Sequence, residues 1–112
     1  MEIVTLPVRV LAEAAPRMWL AVSGTLAAPT RDPLHQRLRT CIDQGYLELF
    51  LDLRQLRCAD TGDAALASTL FALGSGVRCH LIGAPAEICE HGAGVPGIVL
   101  HARLGSAWRE WE

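Results

Sequence analysis

The stretch from Tyr46 to Leu53, YLELFLDL, constrains the fold most. It is almost continuously apolar, the pattern of a strand buried on both faces of a sheet, and it falls far short of the ~20 residues that a membrane-spanning helix needs. Such a strand has to be covered by other layers, so the flanking segments decide the architecture. Upstream, Leu34, Leu38, Cys41 and Ile42 fall at i, i+4, i+7 and i+8, one apolar stripe of an amphipathic helix, with Arg31, Gln36, Arg37 and Arg39 on the wetter side. Asp32 is placed to cap this helix, Pro33 to open it and Gly45 to stop it, which predicts a helix from about Pro33 to Gln44.

The remaining segments continue the alternation. Ile3 to Leu11 alternates around Pro7 and reads as an edge strand, because proline cannot donate to a central ladder. Met18 to Val22 is a short apolar strand followed by a turn at Ser23-Gly24. After a link from Arg54 to Ala59, a second helix is expected from Asp60 to about Leu73, nearly uncharged over its last ten positions and so largely buried. Val77 to Ile82 is a third strong strand, Pro85 to His91 a third helix, Ile98 to Leu100 a short strand and Leu104 to Trp111 a C-terminal helix. The order β-β-α-β-α-β-α-β-α describes a single α/β domain over residues 1–112, a mixed sheet of four to five strands with about four helices and parallel crossovers. A doubly wound nucleotide-binding sheet fits the order equally, but no glycine-rich phosphate loop follows any strand.

Charge narrows the function classes. Ten basic residues, all arginine, face twelve acidic ones, a net charge of −2. Without a basic excess or run, direct binding to nucleic acid is not expected. The first residues show no basic segment leading into a long apolar one, so the protein is expected in the cytoplasm, with no direct membrane insertion. Aromatics make up only 5% of the chain, which predicts an aliphatic core.

Cys41, Cys58, Cys79 and Cys89 lie in or beside apolar segments with no C-x-x-C pair, and they read as small core hydrophobes. Cys79-His80 and Cys89-Glu90-His91 bring sulfur and imidazole together, but neighbours on a strand point to opposite faces and a zinc site needs about four converging ligands. His35 and His101 stand isolated. No bound metal and no nucleotide or other cofactor is therefore expected. Trp108 and Trp111 share one face of the last helix, where they either cap the core or form an aromatic patch for self-association into a homodimer.

Leu20-Ala21-Val22-Ser23-Gly24-Thr25-Leu26, Leu51-Asp52-Leu53, Leu56, Asp60-Thr61-Gly62-Asp63 and Leu81-Ile82-Gly83, in that order and spacing, resemble the STAS domains of anti-sigma factor antagonists and of some transporters. The resemblance spans residues 18 to 108. It implies a STAS-like mixed sheet and a non-enzymatic module for protein–protein interaction in signal transduction. It also places Thr61 at the hydroxyl position that regulatory members phosphorylate, at a helix N-terminus. Asp60, Thr61, Gly62, Asp63, Ala64 and Ala27 would then form the partner-binding surface, and the partner would be a kinase-type anti-sigma factor. The sequence departs from the family at Asp63, where glycine is usual, and at Ala27, where many regulators carry aspartate. The alternative is the small STAS subunit of an Mla-type phospholipid-transport ABC complex, whose D-T-G-G segment resembles Asp60-Thr61-Gly62-Asp63 and which binds the ATPase subunit.

Read from the residues alone, Asp60 and Thr61 are good helix caps. A phosphate on Thr61 would gain from first-turn N–H groups and the helix dipole while placing about 1.5 to 2 negative charges beside Asp60 and Asp63, so the domain would stay folded and an acidic or closely packed partner would be repelled. An enzyme is not expected: no nucleophile elbow, paired metal-binding histidines or phosphate loop is present, and adjacent residues such as Asp60 and Thr61 rarely aim at one reacting atom.

Overall fold

The computed structural model describes residues 7–26, 28–58, 76–84 and 97–111. Five strands form one sheet in the spatial order β1-β2-β3-β4-β5: β1 (Val8–Ala14), β2 (Arg17–Leu26), β3 (Glu48–Cys58), β4 (Arg78–Ile82) and β5 (Ile98–His101). β1 runs antiparallel to β2, and every other neighbouring pair is parallel. Two helices are present among the described residues, α1 (Ala28–Asp43) and α2 (Leu104–Trp111). The helices expected at 60–73 and 85–91 lie outside the described residues, as does the start of the edge strand before Pro7.

β3 occupies the centre of the sheet, as its apolar run requires. Leu49, Leu51 and Leu53 are buried on one face and Phe50 on the other, together with Asp52. Pro7 stands directly before Val8, the first residue of β1, and its carbonyl accepts a hydrogen bond from the Ser23 amide at 3.1 Å. Gly45, at φ +97°, ends the α1 region as anticipated.

Three expectations about element boundaries are corrected. Helix α1 begins at Ala28, so Asp32 is not its cap and Pro33 lies inside it. Proline lacks only its own N–H, and in the second turn it removes one bond to the preceding turn; the Leu34, Leu38 and Cys41 stripe, buried to within 2% exposure, anchors the helix regardless. Strand β3 runs on to Cys58, through the segment expected to be a link. Strand β2 likewise passes Ser23-Gly24 and reaches Leu26. Both extensions follow from a register irregularity between Ala21 and Ser23, where β3 gains one residue on its partner and Gly24 sits at φ +94°. A bulge of this kind lets pairing resume beyond the break.

The sheet separates two cores. On the α1 side Met18, Leu20, Val22, Leu34, Leu38, Cys41, Leu49, Leu51, Leu53, Leu56, Cys79 and Leu81 make an aliphatic and sulfur-bearing cluster. On the α2 side Trp19, Phe50, Ile82 and Ala107 form a second cluster with Trp111 packed against it. Among the described residues Trp19, Phe50, Trp108 and Trp111 gather on the α2 face, whereas the buried members of the α1-side cluster are aliphatic or sulfur-bearing, with Tyr46 packed at its margin. Cys41 and Cys79 are free and buried, in line with their reading as core hydrophobes, and burial pushes the Cys79 thiol up to about 12. Among the described residues no helix is long and apolar enough to cross a membrane.

Candidate functional site

The residues singled out by sequence, Ala27 and Asp60 to Ala64, lie outside the described residues. The strands that lead to them are described. Leu26 of β2 and Cys58 of β3 are register partners on adjacent parallel strands, so the chain leaves both strands side by side at one end of the sheet. Ala27 follows Leu26 directly, and Asp60 is two residues after Cys58. The carboxyl ends of parallel strands are where α/β sheets build their sites.

Below that end lies a polar cluster that the sequence reading touched only through the Leu51-Asp52-Leu53 motif. Arg54 donates from Nε to Asp52 Oδ1 at 2.9 Å and from Nη2 to Oδ2 at 2.8 Å, and its backbone amide adds a bond to Oδ1 at 3.1 Å. The guanidinium bonds hold the Asp52 carboxyl below its usual range against the opposing effect of burial. Gly83, at φ +63°, gives the Arg54 stem room: a Cβ there would lie 2.5 Å from Arg54 Cγ. A cavity of about 300 Å³ opens over β1, β2 and β3 with Arg9, Ser23, Asp52, Arg54 and Gln55 in its lining. A second, of about 480 Å³, shares Asp52 and Arg54 and is otherwise walled by Leu11, Ala12, Trp19, Leu104, Gly105 and Trp108.

A second polar cluster lies on the α2 face. His80 Nε2 is 2.9 Å from Glu48 Oε2, His80 Nδ1 is 3.0 Å from His101 Nε2, and His101 Nδ1 is 2.8 Å from Ser106 Oγ. Arg17 Nε lies 3.2 Å from Glu48 Oε1, and Arg78 Nη1 lies 4.0 Å from Oε2. Arg17 also donates to the Trp111 carbonyl, which ties β2 to the end of α2. His101 is therefore not isolated. Period-two alternation puts His80 and His101 on the same face of adjacent strands, a signal that needs the β4–β5 register and was invisible without it. Cys79 and His80 point to opposite faces as expected, Cys79 into the aliphatic cluster and His80 against Phe50, whose ring stacks on it at 4.1 Å. No group of three or more metal-ligating side chains occurs among the described residues.

Trp111 and Trp108 both reach Trp19, with ring centroids 5.6 and 5.8 Å away. They cap the aromatic core, and Trp108 stays half exposed while doing so.

No protein-family model matches the sequence, and no curated protein gives a significant match. Solved structures do match. An anti-sigma factor antagonist from Mycobacterium paratuberculosis superposes with a TM-score of 0.67 at 18% identity, over 93% of both chains. The anti-sigma factor antagonist SpoIIAA in its unphosphorylated form gives 0.67 at 14% identity, covering 94% of this chain and 97% of the other. The Bacillus cell fate determinant SpoIIAA in its phosphorylated form gives 0.66 at 12%, covering 95% and 100%. Across nearly its whole length, the chain has the fold of the anti-sigma factor antagonists.

Proposed function

We propose that the protein is a regulatory module that binds a protein partner through the end of the sheet where β2 and β3 stop, and that Thr61 is its phosphorylated switch residue. The observation that carries this reading is the fold shared with anti-sigma factor antagonists, one of them solved in a phosphorylated form. The register pairing of Leu26 with Cys58 supports it, because it sends the chain toward Ala27 and Asp60-Thr61 from neighbouring strands. The partner would be a kinase-type anti-sigma factor in the cytoplasm, released when Thr61 is phosphorylated, and the phosphoryl transfer would be the partner's chemistry, not the module's.

The mechanism is electrostatic. A phosphate of about 1.5 to 2 negative charges would be added beside Asp60 and Asp63, in a contact that a partner has to desolvate. The test is co-purification from the native host, then incubation of the recovered complex with radiolabelled ATP. Incorporation in the wild type and none in Thr61→Ala is the expected result, with Thr61→Glu losing the partner and Thr61→Ala retaining it. Equal binding by the wild type and both variants overturns the reading, and recovery of an ABC transporter ATPase in place of a kinase assigns the module to a transport complex.

A further inference from the structure

The chain Glu48–His80–His101–Ser106 crosses the α2 face of the sheet and ends at the surface. His80 and His101 are 1% and 9% exposed, whereas Ser106 is open to solvent. With both imidazoles neutral and Glu48 a carboxylate, one proton arrangement satisfies all three contacts. His80 Nε2–H donates to Glu48, His101 Nε2–H donates to His80 Nδ1, and the Ser106 hydroxyl donates to His101 Nδ1. Each group fixes the tautomer of the next, as the acid does for the histidine in a serine–histidine–acid triad.

Packing holds the relay in place. His80 lies between Phe50, parallel to it at 4.1 Å, and His101, stacked at 5.2 Å. Ser106 stands in the first turn of α2, where N–H groups lack intrahelical acceptors and the dipole favours developing negative charge.

From this geometry we infer that Ser106 is an acyl-accepting nucleophile, with His101 as its general base and His80 and Glu48 as positioning residues. The electrophile would be an activated carboxylic ester or thioester. Ser106 Oγ attacks the carbonyl carbon as its proton passes to His101 Nδ1. The bond from that carbon to the leaving oxygen or sulfur then breaks, and the leaving group takes the proton from His101. The products are an ester on Ser106 and a free alcohol or thiol; nothing is oxidised or reduced.

Adding one proton to the relay removes the base. His101 then donates from both nitrogens, Nε2–H to His80 Nδ1 and Nδ1–H to Ser106, and the hydroxyl is left to donate to the Arg103 carbonyl at 3.2 Å. In that state the serine has no base. The groups that bias the switch are Glu48 with Arg17 and Arg78 at the far end of the chain from Ser106, and Glu110 on α2 near His101. Burial and the neighbouring His80 both disfavour the charged form of His101, so the base-competent arrangement is the neutral-pH one.

The full chain is treated with p-nitrophenyl acetate, p-nitrophenolate release is followed, and the acylated peptide is located by mass spectrometry. The expected result is one acetyl group on Ser106, lost in Ser106→Ala, with the rate rising from acid to neutral pH and then levelling. In His101→Gln the rate should fall by about a hundredfold while Ser106 remains in place. Circular dichroism checks that both variants fold. If His101→Gln does not fold, the wild-type profile decides: a plateau supports the relay, and a rate simply proportional to hydroxide overturns it. Acylation absent from Ser106, or unchanged in a folded His101→Gln, also overturns it.

Discussion

Leu51 and Phe50 are neighbours on β3 and both are completely buried, yet they face different environments. Leu51 points toward α1 among leucines, a valine, Met18 and Cys41, where the Cys41 thiol donates to Met18 Sδ at 3.5 Å. Phe50 points toward α2 between Trp19 and His80, with rings at 5.1 and 4.1 Å, and the polar chain from Glu48 to Ser106 runs past it. The first face gains from area removed from water and is indifferent to pH. The second combines ring packing with groups that hold hydrogen bonds only in particular proton arrangements. One face stabilises; the other can respond to its surroundings.

The largest effect should come from the first face. Leu51→Ala leaves a cavity at the centre of the sheet, and such truncations cost about 2–5 kcal/mol. Chemical denaturation should show that loss with the same pH dependence as the wild type. A changed pH dependence would mean that the two faces are coupled through β3.

On the second face, His80→Leu keeps an apolar filling but strips His101 Nε2 of its partner and leaves Glu48 Oε2 only Arg78, 4.0 Å away. A buried polar group left unpaired costs about 1–3 kcal/mol. The same substitution removes one of the two causes that lower the His101 pKa, so an NMR titration of His101 should move toward the ordinary histidine value. A stability loss with no movement of the His101 resonance would break the assignment of the two rings to one relay.

Gly83→Ala probes the Asp52–Arg54 cluster at the edge of that face. An alanine at φ +63° is strained by roughly 1–2 kcal/mol, and its Cβ would also push on Arg54 Cγ. In an Arg54→Ala background that second contribution should shrink and the backbone cost remain. Thermal melts of the two single variants and the double variant measure the coupling; strict additivity would show that Gly83 answers only to its backbone conformation.

The contrast between the faces also explains how far the sequence could be read. The α1 stripe, the doubly buried β3 and the C-terminal helix are written in spacings of three to four or two, and Leu34, Leu38, Phe50 and Ala107 fall where those spacings put them. The start of α1 was misplaced because Asp32-Pro33 is a sound local cap signal that tertiary packing of the stripe overrides. The continuation of β2 and β3 past Ser23 and Leu53 depends on a bulge between two strands, which neither strand states by itself. The relay is non-local throughout: Glu48, His80, His101 and Ser106 come from three strands and a helix, and no pair of them is close in sequence except the last. For Asp60 to Ala64 and Ala27, the sequence supplies the motif and the described strands supply only the paired exits that lead to it.

The smallest effect separates the faces most cleanly. Burial, and then the neighbouring His80, hold the His101 pKa below the ordinary 6.5, with Glu110 opposing them. A histidine with a depressed pKa binds its proton more weakly in the folded chain than in the unfolded one. Its neutral form therefore adds stability that is fully present above about pH 6.5 and is lost as the pH falls through the folded value. Asp52, whose pKa is lowered by Arg54, has the same sign in a more acidic window: its contribution is present above 3.8 and disappears as the pH falls through the folded value. Linkage to a single proton limits either slope to about 1.4 kcal/mol per pH unit. Denaturation curves taken from neutral to mildly acidic pH should thus show a shallow fall in the wild type and in Leu51→Ala alike. His101→Gln should flatten it, and Asp52→Asn should leave it unchanged until the acid window is reached. A fall that survives His101→Gln would locate the proton on another group and remove His101 from its place as the titrating member of the relay.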